Sequence, residues 1–230
     1  MAIFLDTGNL GEIERFHRMG VIRGVTTNPT ILFKEGVSGG MKGIEERSRH
    51  IAKLIAPYPL SVEVTVTERE AVLRQAREFA SWGDNIVVKV TVHGPDGELE
   101  NMEIIHELET RHDIRVNVTA MMSAQQCFLA AMAGASYVSL FGGRVNNMGY
   151  NACGEIARLR GVLDRFGLKA RIIVGSTREV LNIIEWLEAG AHVVTAVPSL
   201  LEGMLVHPYT KETVKMFLAD GAKLEAKLKA

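Results

Sequence analysis

Cysteine is scarce in this chain: Cys127 and Cys153 are the only two among 230 residues. Two thiols cannot hold a disulfide scaffold together, which points to a reducing compartment. No charged-then-apolar leader stands before Ile3-Phe4-Leu5-Asp6, and no apolar run reaches the length that crosses a bilayer. The expectation is a cytoplasmic protein without membrane attachment. Excess charge is lacking too: a net charge of -1 supplies no field for gripping nucleic acid or an anionic membrane. The seven histidines are scattered, with no HxH, HExxH or CxxC spacing, so no metal site is expected. A Gly-x-Gly-x-x-Gly after the first strand and a Walker-type loop are both missing, which argues against a nucleotide-binding sheet. What remains, 47% hydrophobic and 23% charged, is ordinary globular composition and leaves one barrel-sized domain or two smaller ones open.

The most informative stretch is Ile86-Val87-Val88-Lys89-Val90-Thr91, a run of β-branched residues with one ammonium in its middle. Alternation puts Val87, Lys89 and Thr91 on one face and Ile86, Val88 and Val90 on the other. Burial pushes a lysine towards its neutral amine, and a neutral amine in an apolar site can attack a carbonyl to form a Schiff base. Taken alone, the stretch is better explained by a strand-end lysine that reaches water or pairs with a carboxylate.

Other strand patterns surround it. Ile3-Phe4-Leu5-Asp6 precedes a helical spacing of Leu10, Ile13 and Phe16, closed by Gly20. Gly24-Val25-Thr26-Thr27-Asn28 ends at Pro29, and the glycine-rich loop 35–40 leads to a helix marked by Met41, Ile44, Ile51 and Leu54. Ser61–Thr65 carries Glu63 on the face of Ser61 and Thr65, and Arg115–Thr119 carries Asn117 and Thr119 on one face. Tyr137–Phe141 runs into Gly142-Gly143-Arg144, a guanidinium on a flexible approach. Arg171–Ser176 is followed by a helix expected to begin at Thr177-Arg178-Glu179, and His192–Val197 stops at Pro198. Helical patterns follow each strand, ending with Val214, Phe217 and Leu218 and a further amphipathic tail, Lys223–Lys229.

Eight strand-then-helix units have a natural closed solution, an α/β single (β/α)₈ barrel spanning 1–230, with 209–230 as an extra C-terminal helical arm. In such a barrel the active site collects at the carboxyl ends of the strands, and here those ends carry Asp6, Asn28, Glu63, Lys89, Asn117, Thr119, Ser139 and Ser176. A core alone gives little reason to gather so many hydrogen-bonding groups in one layer. That convergence reverses the reading of Lys89. With no metal set and no Ser/Cys–His pair, the layer suits carbinolamine chemistry on a ketone, with Lys89 as nucleophile and Asp6 and Glu63 as proton handlers. Ser176-Thr177-Arg178 and Arg144 offer donors for a small anion.

The blocks Phe4-Leu5-Asp6-Thr7, Gly24–Pro29, Val87-Val88-Lys89, Asn117-Val118-Thr119, Ala133–Ser139 and His207-Pro208 carry a resemblance across nearly the whole chain. The sequence resembles transaldolases, especially the short transaldolase and fructose-6-phosphate aldolase group. The resemblance implies Lys89 as the Schiff-base lysine, Asp6 as the residue assisting cleavage and protonation, and Glu63 with Thr119 as the pair holding the catalytic water. Thr26, Asn28, Asn117, Ser139 and Phe141 would line the substrate pocket, and Arg144, Ser176 and Arg178 would bind phosphate. No cofactor is implied.

Fructose-6-phosphate aldolases of this group usually have glutamine at Glu63 and tyrosine at Phe141, so the expected activity is transfer. A dihydroxyacetone unit would pass from fructose 6-phosphate or sedoheptulose 7-phosphate to an aldose phosphate. The alternatives are an aldolase releasing free dihydroxyacetone and a non-catalytic sugar-phosphate-binding barrel. The sequence departs from the usual proline at Thr91, proline at Leu140 and valine at Gly142. The resemblance also implies a homo-oligomer, since family members of this length commonly assemble as pentamers or decamers through a terminal helix.

Overall fold

A computed structural model describes residues 2–229; the ends of the expected domain and arm, Met1 and Ala230, lie outside the described residues. Eight parallel strands close into a barrel in chain order: β1 (Ile3–Asp6), β2 (Val25–Thr26), β3 (Leu60–Glu63), β4 (Ile86–Thr91), β5 (Val116–Met121), β6 (Tyr137–Leu140), β7 (Arg171–Val174) and β8 (Val193–Ala196). Closure is made by β1 against β8, with Ile3 opposite Val194 and Leu5 opposite Ala196. Around them run α1 (Leu10–Arg18), α2 (Pro29–Lys34), α3 (Gly40–Ile55), α4 (Arg69–Ala80), α5 (Glu100–Arg111) and α6 (Ala124–Met132). The circuit continues with α7 (Gly142–Asn147), α8 (Ala152–Phe166), α9 (Val180–Glu188) and α10 (Pro198–Leu205), and α11 (Pro208–Leu228) follows. The fold is the expected (β/α)₈ barrel with an added C-terminal helix.

The strand alternation sorts two apolar layers. Outward residues such as Leu5, Val25, Val62, Val88 and Val118 pack with the inner faces of the helices, among them Phe16, Ile51, Phe79, Ile105 and Trp186, to make the main core. Phe4, Val87, Tyr137, Ile173 and Val193 form a second, smaller cluster inside the barrel. Each of four of these stands two residues before a polar one, giving Phe4/Asp6, Val87/Lys89, Tyr137/Ser139 and Val193/Thr195. A period of two keeps each pair on one face, so the barrel interior is apolar towards the amino ends and polar above it. Gly24 makes room for this plug: a Cβ there would lie 2.6 Å from the Phe4 ring.

Several local expectations are corrected. The second strand stops at Thr26, because Asn28 caps α2 by accepting from the Ile31 amide at 2.9 Å, and Pro29 begins that helix. The third strand ends at Glu63, where Gln75 of α4 takes the Thr65 amide at 2.7 Å. The fifth runs on to Met121 through an irregularity in which Ala120 adopts φ 62°. Gly142 and Gly143 are no flexible approach but the first turn of α7, both buried. The helix after β7 starts at Val180, capped by Glu179, because Thr177 is drawn inward to donate to the Thr195 carbonyl at 2.7 Å. The two expected C-terminal helices are one continuous α11.

Candidate active site

The carboxyl ends of the strands enclose a cavity of about 150 Å³ whose floor is Lys89. Its strand places it there: Lys89 follows Val87 on the inner face of β4, in register with Glu63 of β3 and Asn117 of β5. The side chain is nearly covered, and its Nζ donates to the Thr27 carbonyl at 2.9 Å and lies 3.0 Å from Glu63 Oε2. The amine is therefore turned into the barrel and held by one neutral and one charged oxygen.

Hydrogen bonds fix the walls. Ser139 Oγ donates to Asn117 Oδ1 at 2.7 Å, and Asn117 Nδ2 donates to Ser61 Oγ at 3.1 Å, which sets the orientation of the buried amide. Thr119 Oγ1 is buried with no hydrogen-bond partner among the described residues while its residue faces the cavity, so this hydroxyl is left for what enters. Across the cavity, Thr26 Oγ1 donates to Asp6 Oδ1 at 2.6 Å and lies 2.6 Å from Thr195 Oγ1. Burial raises the Asp6 carboxyl above its ordinary value; the Thr26 bond and the Lys89 charge oppose the rise, and the Glu63 charge adds to it.

The rim is built by close backbone packing. A Cβ on Gly143 would fall 1.8 Å from the Ser176 carbonyl oxygen, so only glycine lets α7 abut that loop and bring Arg144 beside Ser176. Ser176 itself has φ 59°. The Arg144 guanidinium sits 5.1 Å from the centre of the Phe141 ring.

Ten of the residues expected from the sequence meet on this cavity: Asp6, Thr26, Asn28, Lys89, Asn117, Thr119, Ser139, Phe141, Arg144 and Ser176. Glu63 joins them through its contact with Lys89. Arg178 does not line the wall; it is exposed and packs over α7, its Cγ 3.1 Å from a Cβ built on Gly143. Gly175 and Thr195 are wall residues that the sequence reading passed over. The signal for Thr195 was a lone hydroxyl in a valine strand, two residues after the inward Val193. A larger cleft of about 460 Å³ lies at the other end of the barrel, around Trp82, Asn85 and Arg115, away from Lys89. Among the described residues, no helix is long and apolar enough to cross a membrane, and no group of three or more His, Cys, Asp or Glu is placed to hold a metal.

A family model described as Transaldolase/Fructose-6-phosphate aldolase matches residues 3–230. The chain belongs to this family. Among curated members, "Probable transaldolase 2" of Listeria monocytogenes is 39% identical over 220 residues, covering 96% of this chain and 95% of its own. "Probable transaldolase" of Desulforudis audaxviator is 37% identical over 225 residues, covering 98% and 99%. Solved structures share the barrel at low identity and show the fold alone. Thiamine phosphate pyrophosphorylase from Pyrococcus furiosus superposes with a TM-score of 0.58 at 11% identity, covering 85% of each chain. A soluble mutant of (S)-mandelate dehydrogenase from Pseudomonas putida gives 0.56 at 15%, covering 87% of this chain and 67% of that one.

Proposed function

We propose that this member of the family is a transaldolase working through a Schiff base on Lys89, and that it moves a dihydroxyacetone unit between sugar phosphates without a cofactor. The observation that carries the proposal is the covered Lys89 amine, 3.0 Å from Glu63, in the cavity that Asp6 also lines. Lys89 gives a proton to Glu63, the neutral amine adds to the ketone carbon of fructose 6-phosphate or sedoheptulose 7-phosphate, and the resulting carbinolamine loses water to give an iminium ion. Asp6 takes the proton of the hydroxyl two carbons further on. The carbon–carbon bond between breaks, its electron pair passes to the iminium, and the shortened aldose phosphate leaves. The enamine left on Lys89 adds to the aldehyde of an acceptor aldose phosphate while Asp6 returns the proton. Water then releases the new ketose, with Glu63 and Thr119 holding that water. Thr26, Asn28, Asn117 and Ser139 hold the hydroxyls of the carbon chain. Arg144 and Ser176 bind the phosphate at the rim, with Arg178, in the loop between β7 and α9, as a further guanidinium for it.

Phe141 favours transfer over release. Freeing dihydroxyacetone requires protonation of the enamine, which a phenol beside it assists and a phenyl ring does not. Borohydride reduction with fructose 6-phosphate, followed by peptide mapping, is expected to leave the reduced adduct on Lys89; an unmodified Lys89 ends the proposal. Dihydroxyacetone appearing without an acceptor aldose would mark an aldolase instead. Saturable binding of the ketose phosphate with no carbon exchange would mark a binding barrel.

A further inference from the structure

We propose that Thr195 is a positioning residue for proton transfer at Asp6, forming with Thr26 a two-hydroxyl relay that reverses direction when the carboxyl gains its proton. The inference rests on Asp6 being the proton handler of the proposed reaction. Its geometry is a row of three oxygens from three adjacent barrel strands: Asp6 of β1, Thr26 of β2 and Thr195 of β8, spaced 2.6 Å and 2.6 Å apart. Both threonines are buried, so water cannot readily replace either contact.

A hydroxyl carries a single proton. While Asp6 is a carboxylate, Thr26 donates to it, and the second contact must then run from Thr195 to Thr26. When Asp6 holds the proton on Oδ1, that O–H donates to Thr26, the Thr26 proton turns to Thr195, and the Thr195 proton turns to the cavity that Thr195 lines. Each protonation state is hydrogen-bonded with no heavy atom displaced. A carboxyl that must act as base in cleavage and as acid in addition is thereby supported in both roles.

Thr195 is held for this task. Its carbonyl accepts from Thr177 Oγ1 at 2.7 Å, and its Cγ2 methyl lies 3.3 Å from a Cβ built on Gly175, which leaves the hydroxyl aimed at Thr26. The charged groups around Asp6 come from other elements: Lys89 on β4, Glu63 on β3, and Arg144 of α7 on the same cavity. A change at Thr195 leaves all three in place.

The two threonines therefore have opposite effects when each is removed. Thr195→Val keeps the methyl packing and the donor to the carboxylate, but in the acid form the Thr26 proton loses its acceptor. Thr26→Val removes the donor to the carboxylate itself. The test follows the Asp6 carboxyl by ¹³C NMR titration in the full-length protein, its signal identified by loss in Asp6→Asn, alongside steady-state kinetics. The Asp6 midpoint is expected to fall in Thr195→Val, rise in Thr26→Val and return to the wild-type value in Thr195→Ser. Turnover in Thr195→Val should drop about ten-fold, mainly in kcat rather than KM, with the pH profile following the titration. Thr195→Ala gives a second hydroxyl-free variant should the valine disturb folding. An unmoved midpoint in both, or shifts of the same sign at Thr195 and Thr26, would overturn the relay. The expected titrations in a protein that turns over no sugar phosphate would uphold the relay and remove the transaldolase reading instead.

Discussion

Lys89 and Glu63 stand 3.0 Å apart with little of either side chain reaching solvent, 6% and 19%, so each supplies the counter-charge of the other. Removing one partner of such a pair costs more than the pair itself contributes, because the remaining charge stays in a site built for two. Lys89→Met should therefore lose all Schiff-base formation and also about 3 kcal/mol of stability in urea unfolding. Lys89→Met with Glu63→Gln should recover part of that stability and none of the activity; equal stability of both variants would count against the ion pair. Asp6 poses the converse problem. Its carboxyl is raised, mainly by burial, so the folded state binds a proton more readily than the unfolded chain does. That contribution to stability is fully present below the unfolded value and is lost as pH rises through the folded one. Above the folded value the ionised group is thus a cost kept for its chemistry. Asp6→Asn should melt higher than wild type at pH 7 to 8, with the difference narrowing as pH falls through the raised folded value and closed below about pH 4, the ordinary carboxylate value, while cleavage is lost. A lower melting temperature at neutral pH would contradict it. In the wild type, the acid limb of the cleavage rate should lie above the ordinary carboxylate range, read from a kcat/KM profile.

Local contacts explain two of the departures from the residues that the family resemblance implies. Where valine is common, Gly142 begins α7, and a Cβ there would lie 2.7 Å from Val174 and 2.9 Å from the Trp186 ring. The indole of α9 occupies the space that the valine side chain would need. Gly142→Val should cost about 1–3 kcal/mol by overpacking, measured by denaturant unfolding, and Trp186→Leu on the same chain should restore much of it. Additive losses in the double variant would exclude that compensation. Thr91 is fixed similarly: its hydroxyl donates to the His93 carbonyl at 2.9 Å and accepts from Asn101 at 3.0 Å, a pair of bonds that proline cannot make. These details mark the boundary of what could be read from the sequence. The strands were legible because inward and outward residues alternate, as in Val87, Lys89 and Thr91. The α2 helix was hidden because Thr27-Asn28-Pro29 serves equally as a strand stop and as a helix cap. The role of Gly142-Gly143 was misjudged because closeness to Trp186 and Ser176 is a property of three separate elements.

At the scale of the whole molecule the site was legible as a layer of strand ends, since barrel closure brings those ends together whatever their distance along the chain. The links within that layer were not. Which hydroxyl meets which carboxyl depends on the stagger around the barrel, and so Thr195 went unmarked although Asp6 and Thr26 were named. The opposite problem arises at α11, where the pattern is plain and no other element among the described residues covers it. Val214, Phe217, Leu218, Leu224 and Leu228 fall on a helical stripe, yet no residue of α11 is buried and these five are half or more exposed. A 21-residue helix with an unsatisfied apolar stripe gains little by standing alone, whereas a single phenylalanine covered by a neighbour contributes about 1.5–3 kcal/mol. We propose that α11 is the arm by which copies of this chain assemble, in the pentamer or decamer that the family resemblance implies. Full-length protein should then sediment at a mass several times that of one chain, and both Phe217→Asp and a chain ending at Val206 should sediment as smaller species. All residues of the Lys89 cavity come from β1–β8 and the loops and helix α7 beside them, so the shortened form should still trap the borohydride adduct on Lys89. A full-length chain that sediments as a monomer across micromolar concentrations would remove the arm while leaving the chemistry of the barrel untouched.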